Sequence, residues 1–239
     1  MGLFRCRGIV VRTYKLGEAD RIISFVTDTH GKVRAVAKGI RKTKSRIGAR
    51  LEPLSNVSLL IYEGRGDLDI VSQAESIEQY KAIREDLDRL THATALLEAV
   101  DLLSVEGQRD ERLYLMLGGA LRSLNERDSA LLVPAFFWKL LAHEGYEPSL
   151  DECVRCGSST DLVGFDPAAG GVTCRGCTIG SRVSDDAIEL MRRILGGQLA
   201  SALREPPSAV THEVERLATA SIEHQLERRL RAGRPLDRA

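Results

Sequence analysis

The spacing of hydrophobic and polar residues changes once along the chain, near residue 80. Before that point, the chain consists of short segments that are rich in β-branched residues, as strands are. They are separated by the turn signals "LGEAD", "DTHGK" and "EGRGD". Five strands in about 75 residues, with a long polar excursion after the third, predict a small closed barrel. The predicted strands cover residues 8–14, 21–27, 31–39, 55–62 and 68–80.

The third predicted strand has the clearest alternation. Val33, Ala35 and Ala37 fall on one side of this strand. The opposite side carries Lys32, Arg34, Val36 and Lys38.

Beyond residue 80, apolar residues recur at helical spacing. The sequence predicts helices over 82–106, 110–125, 129–144, 184–196 and 208–232. The third, in "SALLVPAFFWKLLAHEGY", is apolar on nearly all sides and is predicted to be a buried central helix. The predicted organisation is a barrel domain at 1–80, a helical domain at 81–150, a cysteine-containing element at 151–180, and C-terminal helices at 181–239 that pack on the helical domain.

The cysteine-containing element has the sharpest local motif, two C-x2-C pairs separated by 17 residues. This spacing is typical of a zinc site with four thiolate ligands, here Cys153, Cys156, Cys174 and Cys177. Four thiolates leave no open position, so one structural zinc ion is expected, with a β-hairpin between the pairs. A redox dithiol and unpaired core cysteines are the alternatives. Cys6 has no partner and is expected to be a small buried residue.

Charge is distributed unevenly, although the 34 basic and 34 acidic residues balance overall. The first 50 residues carry ten more positive than negative charges, and the remainder carries the opposite excess. Between Thr29 and Leu51 there is no acidic residue, and there are eight basic ones: Lys32, Arg34, Lys38, Arg41, Lys42, Lys44, Arg46 and Arg50. This segment indicates a site for a polyanion such as nucleic acid, with a solvated basic face as the alternative.

The scarcity of aromatic residues affects how such a site would bind. The first 50 residues contain Phe4, Tyr14 and Phe25, two of which are expected to pack inward. We therefore expect binding dominated by phosphate contacts, strongly dependent on salt and open to both single-stranded and duplex DNA, with little stacking of bases.

Motifs for catalysis are missing from the sequence. It has no P-loop, H-E-x-x-H, G-x-S-x-G or dinucleotide-binding glycine motif, so we expect a protein that is not an enzyme. No apolar run approaches the roughly 20 residues of a membrane span. The N-terminus has no continuous apolar block of the kind found in signal peptides. We therefore expect a cytoplasmic protein without a membrane partner.

Two N-terminal segments carry a family resemblance: "RGIVVRTYKLGEADRIISFVTDTHGKVRAVAKGIRKTKSR" and "LEPLSNVSLLIYEGRGDLDIVSQAE". Together with the four-cysteine element, they resemble the RecO family of bacterial DNA repair proteins. The resemblance runs from about residue 5 to 80 and returns at the cysteines. It implies an α+β multidomain fold with an N-terminal five-stranded OB-fold barrel, a helical domain and a zinc ribbon in the C-terminal half.

The resemblance also implies a function in DNA repair and homologous recombination. Such a mediator binds single- and double-stranded DNA, anneals complementary strands, and helps load RecA onto strands coated by single-strand binding protein. RecR and the acidic C-terminal tail of single-strand binding protein are the implied partners, and the nucleoid the implied location. The eight basic residues above match the basic face of the family's barrel.

Two other functions fit the residues. One is a zinc-ribbon adaptor whose basic loop docks an acidic protein. The other is an RNA-binding OB-fold protein.

Overall fold

The computed structural model describes residues 2–42, 47–64, 66–178 and 180–230. The chain forms two compact units, divided in sequence between Glu126 and Arg127. The finer division into four segments at residues 80, 150 and 180 stays a prediction.

The N-terminal unit begins with a closed barrel of five strands. Around the barrel the order is β1-β2-β3-β5-β4, and β4 pairs back onto β1. All pairs are antiparallel except β3 with β5. This confirms the predicted five-stranded barrel. The strands are β1 (Leu3–Leu16), β2 (Asp20–Thr27), β3 (Gly31–Ala37), β4 (Asn56–Tyr62) and β5 (Asp69–Glu78).

Alternation along the strands separates the barrel interior from its outer face. Val33, Ala35 and Ala37 are buried in the core, whereas the residues between them are not, so the predicted alternation is confirmed. Phe25 fills part of the interior, and its complete burial contributes about 1.5–3 kcal/mol to stability.

Three helices complete the N-terminal unit: α1 (Lys81–Arg84), α2 (Leu87–Leu103) and α3 (Glu111–Glu126). Sequence periodicity predicted one helix over 82–106, which was wrong because the chain breaks at Asp86. The Asp86 carboxylate accepts a hydrogen bond of 3.0 Å from the backbone N–H of Arg89, so it caps a new helix. Both α2 and α3 pack against β1, and α3 also contacts β2.

The C-terminal unit combines helices with a small sheet. The sheet order is β7-β6-β8, with β6 (Leu162–Asp166), β7 (Gly171–Cys174) and β8 (Ser181–Arg182). Helices α5 and α7 pack against α4, which is buried along most of its length, as predicted. The helices are α4 (Leu132–His143), α5 (Asp185–Leu195), α6 (Leu199–Ala202) and α7 (Ala209–Gln225).

Helix α7 ends at Gln225, seven residues before the predicted limit. The chain turns at Glu227, which has a left-handed φ of 51°, and the backbone N–H of Arg228 donates 3.2 Å to the carbonyl of Glu223. This is the hydrogen-bonding pattern of a helix C-terminus. No helix in the described ranges is long and apolar enough to cross a bilayer.

Candidate metal centre and nucleic-acid interface

The four cysteines of the C-terminal unit converge from two turns. Their Sγ atoms all lie within 4.8 Å of one another, and those of Cys156 and Cys174 are 3.7 Å apart. A tetrahedral zinc ion with Zn–S bonds of about 2.3 Å would space its sulfur ligands about 3.8 Å apart. The donor set and its spacing therefore fit one four-coordinate metal ion.

Local hydrogen bonds shape both turns. In the first turn the backbone N–H of Gly157 donates 2.8 Å to the carbonyl of Cys153, and Gly157 has a left-handed φ of 75° that favours glycine. In the second turn the N–H of Cys177 donates 3.0 Å to the carbonyl of Cys174. The predicted hairpin is present as β6 and β7, which bring Cys174 beside the first turn.

The thiols of the cluster differ in acidity. A hydrogen bond from the backbone of Cys174 lowers the pKa of Cys153 to about 6. Contact with the thiol of Cys156 raises the pKa of Cys177 to about 12. Four crowded sulfurs resist simultaneous ionisation, and a bound cation would remove that penalty because metal ligation requires thiolates.

Arg155 ties the first cysteine turn to the hairpin. Its Nη2 donates 2.7 Å to Oδ2 of Asp166, the last residue of β6. The other carboxylate oxygen of Asp166 accepts hydrogen bonds from the N–H groups of Ala168 and Ala169. The hydrogen bond from Arg155 is the main cause that lowers the pKa of Asp166. This ion pair therefore holds the turn that carries Cys153 and Cys156 against the hairpin independently of a metal ion.

Cys6 lies apart from this cluster, inside the barrel core. Burial, followed by the nearby charge of Asp28, raises its pKa to about 12. Cys6 is therefore a buried neutral thiol, as predicted.

The basic segment covers β3, which carries Lys32 and Arg34, and continues into the connection from β3 to β4. We call this connection the basic loop (residues 38–55). It contains a short 3-10 helix, Ala49–Leu51. Its exposed cationic residues are Lys38, Arg41, Lys42 and Arg50, whereas Lys44 and Arg46 lie outside the described residues.

Buried side chains and backbone hydrogen bonds anchor the loop at both ends. Ile40 and Leu51 belong to the barrel core. The backbone N–H of Arg41 donates 2.9 Å to the carbonyl of Ala19, in the turn between β1 and β2. Arg50 donates 3.0 Å to the carbonyl of Ala74. The exposed cations are therefore carried on a loop fixed to the barrel.

Two of the eight basic residues that we predicted to contact DNA, Lys32 and Arg34, lie on β3 and pair with acidic residues. Lys32 is only 11% exposed, and its Nζ lies 3.1 Å from Oδ1 of Asp101 on α2. The Arg34 guanidinium lies 3.5 Å from a carboxylate oxygen of Glu106, in the connection between α2 and α3. These pairings join the barrel to its helices. Local sequence patterns do not predict them, because the partners are 69 and 72 residues apart.

Comparison with known proteins agrees with this architecture. The family model described as "Recombination protein O N terminal" matches residues 1–80, and "Recombination protein O C terminal" matches residues 84–234. Three full-length relatives are named "DNA repair protein RecO". The chain is 43% identical to the protein of Frankia casuarinae, 41% to that of Streptomyces griseus and 37% to that of Cutibacterium acnes. In each case the alignment covers 100% of both chains.

Matches over both units, and over the whole length of several relatives, agree with the closed barrel and the helical elements that follow it. The chain with this barrel, basic loop and four-cysteine cluster belongs to the RecO family of DNA repair proteins.

Proposed function

We propose that this chain is a recombination mediator that binds single- and double-stranded DNA through the basic loop and anneals complementary strands. The observation that carries the proposal is a set of exposed cations on a loop anchored in the barrel: Lys38, Arg41, Lys42 and Arg50. The one acidic residue of this loop, Glu52, is paired with Arg21 at 2.7 Å. Phosphate contacts of this kind supply most of the affinity in sequence-independent DNA binding.

Annealing follows from charge neutralisation. Two complementary strands repel each other through their phosphates, and that repulsion slows their encounter. A loop that neutralises phosphates on one strand lowers the repulsion without enclosing the base edges. The pairing itself then needs no nucleotide hydrolysis.

In the same proposal, the protein helps load RecA onto strands coated by single-strand binding protein. RecR and the acidic tail of single-strand binding protein are its proposed partners through family membership. We assign no residues to either contact.

We propose one zinc ion at Cys153, Cys156, Cys174 and Cys177. The ion would supply a tetrahedral crosslink between the first turn and the end of β7, with no position left for substrate. Its role would therefore be structural. The fit of the four sulfurs to a tetrahedral ion supports this assignment.

Annealing of two labelled complementary oligonucleotides tests the proposed function. Changing Lys38, Arg41 and Lys42 together to alanine should slow annealing and weaken single-strand and duplex binding in parallel. The matched control removes three exposed arginines of the C-terminal unit, Arg182, Arg204 and Arg229, and so changes net charge equally. Unchanged annealing in the loop variant, or equal losses in both variants, would refute the basic loop as the DNA site.

A further inference from the structure

A row of apolar side chains crosses the outside of the barrel. In the strand register, Tyr14 lies opposite Ile22 and Ile22 opposite Val36. The row continues through Ile70 on β5 and Tyr62 on β4, and ends at Leu3 on β1. Directly paired residues point to the same face of a sheet. We call this set the outer row: Tyr14, Ile22, Val36, Ile70, Tyr62 and Leu3.

Neighbouring residues establish that the outer row points away from the core. Side chains alternate along a strand, and the adjacent Ile23, Ala35, Val71 and Ile61 are all buried in the barrel interior. Tyr14 is 41% exposed, Tyr62 39% and Leu3 58%. Across four inter-strand spacings of about 4.8 Å, the two tyrosines are separated by roughly 19 Å around the barrel.

Two tyrosines of the barrel have partly exposed side chains, Tyr14 and Tyr62. Of the three aromatic residues in the first 50, Phe25 is buried and Phe4 stacks on His30 at a ring distance of 4.0 Å. Tyr14 remains exposed, and Tyr62 adds a second exposed ring from outside that segment. Only the strand register places these two rings in one row.

Basic residues lie beside the outer row. Arg34, which is also 3.5 Å from Glu106, lies two residues before Val36 on β3, and the exposed Lys38 follows directly after the last residue of this strand, Ala37. The Arg12 guanidinium lies 5.0 Å from the centre of the Tyr14 ring and is also paired with Asp101 at 3.1 Å. Lys38 begins the basic loop, so the row is continuous with the proposed phosphate-binding surface. The acidic Asp20 on this side accepts a hydrogen bond of 2.7 Å from the backbone N–H of Gly39.

We propose that the outer row is a base-stacking platform for single-stranded nucleic acid. Unpaired bases stack on Tyr14 and Tyr62 while their phosphates contact Lys38 and the basic loop. Aromatic rings beside cations are the combination that holds a single strand without regard to sequence. This inference rests on the proposed function, and deepens it by giving the protein a preference for unpaired strands.

Stacking on the row is compatible with annealing. A base that stacks on a tyrosine uses one face of its ring and leaves its Watson–Crick edge free. Bases within a duplex are already stacked and cannot use the row. The row therefore contributes to single-strand affinity and not to duplex affinity.

The test compares a 20-residue oligothymidylate with an abasic strand of the same length and charge. Wild type should bind the base-bearing strand more tightly, by about five-fold or more for each stacked base. The double variant Tyr14→Ala, Tyr62→Ala should lose this preference while its duplex affinity and salt dependence stay unchanged. Tyr146→Ala, at a half-exposed tyrosine of the C-terminal unit, serves as the matched control and should keep the preference.

Two further variants separate stacking from folding. Changing both tyrosines to phenylalanine keeps the rings and should keep the preference. Changing both tyrosines to leucine keeps apolar side chains on the strands but removes the rings. This variant should fold and should lose the preference for the base-bearing strand. Equal binding of both strands by wild type, or a preference that survives in the leucine variant, would overturn the platform.

The outcome also separates this inference from the function on which it rests. If removal of the basic-loop charges abolishes binding while the tyrosine variants behave as wild type, the proposed function stands and the platform fails. If neither set of changes affects DNA binding, both fail. If the tyrosine variants lose only binding to a protein partner, the row is a protein-docking surface and the platform fails.

Discussion

Lys32 on β3 and Asp101 on α2 form an ion pair in which Nζ lies 3.1 Å from Oδ1. Asp101 is buried and also accepts a hydrogen bond of 3.1 Å from Arg12 on β1. One carboxylate thus joins two strands of the barrel to a helix. Although Lys32 belongs to the basic segment, its ammonium group is paired with a carboxylate inside the N-terminal unit.

We therefore predict that Lys32 affects stability more than DNA binding. Lys32→Met should lower the free energy of unfolding by about 1–3 kcal/mol, because it leaves the buried Asp101 carboxylate with one partner fewer. Urea unfolding measures this loss. Lys38→Met, at an exposed position six residues later, should instead weaken DNA binding with little change in stability. The reverse pattern in these two variants would contradict the assignment.

Gly31 is predicted to be intolerant of a side chain. It has a left-handed φ of 65°, and a Cβ atom there would lie 1.8 Å from the carbonyl oxygen of Gln108. Gly17 has a similar φ of 56° but open space around it. Gly17→Ala should cost only the conformational penalty of about 1–2 kcal/mol. Gly31→Ala should lower the free energy of unfolding by clearly more, as measured by thermal or urea unfolding. Equal losses of stability at both positions would contradict the prediction that the close contact with Gln108 destabilises the variant.

Metal removal should be visible in the fluorescence of Trp138, the one tryptophan of the chain. Its ring packs edge-on against Phe165 of β6 at a distance of 5.7 Å between ring centres. Chelation, or Cys174→Ser, should release one zinc ion per chain and change the emission of Trp138 as the hairpin loosens. Cys6→Ala is the control and should retain the metal. A protein purified without zinc, with emission insensitive to chelators, would contradict the zinc assignment.

Acid should weaken the N-terminal unit through Asp28. Its carboxylate accepts hydrogen bonds from the backbone N–H and from Nε of Arg7, at 2.9 and 2.8 Å. Burial alone raises the pKa of Asp28, but these hydrogen bonds outweigh it and hold the pKa below its usual value.

The sign of the effect follows from that direction. The unfolded chain takes up the proton more readily, so the contribution of Asp28 is present above the ordinary aspartate pKa of about 3.9 and is lost as the pH falls through the lower folded value. Asp28→Asn should flatten the acid side of a stability–pH curve. Glu75→Gln, at an exposed position on β5, should leave the curve unchanged. An unaltered acid limb in Asp28→Asn would show that another group controls it.

Structural features that depend on residues close together in the chain could be predicted from the sequence. Alternation with a period of two located the strands, and paired C-x2-C motifs located the thiol cluster, because each depends on residues close together in the chain. The break at Asp86 interrupts an apolar period that continues on both sides, so periodicity merged two helices. Long-range pairing was beyond such patterns. In the sequence, Lys32 does not differ from the neighbouring basic residues, and only the fold brings Asp101 beside it. Tyr14 and Tyr62 lie in one row only through the register of five strands.

The central claim is that the basic loop holds DNA through its phosphates. Fluorescence anisotropy of a labelled single-stranded oligonucleotide, titrated over a range of salt concentrations, tests it most directly. The variant removes the charges of Arg41, Lys42, Lys44 and Arg46, and the control removes those of Arg127, Arg182, Arg204 and Arg229 in the C-terminal unit.

Each phosphate contact adds about 0.7 to the slope of log affinity against log salt for a single strand, so losing four contacts should reduce the slope by up to about 2.8. We expect a steep slope for wild type and for the control, and a shallow slope with weak binding for the loop variant. A wild-type slope that is shallow, or that the loop variant leaves unchanged, would contradict the claim and assign the loop to a protein partner.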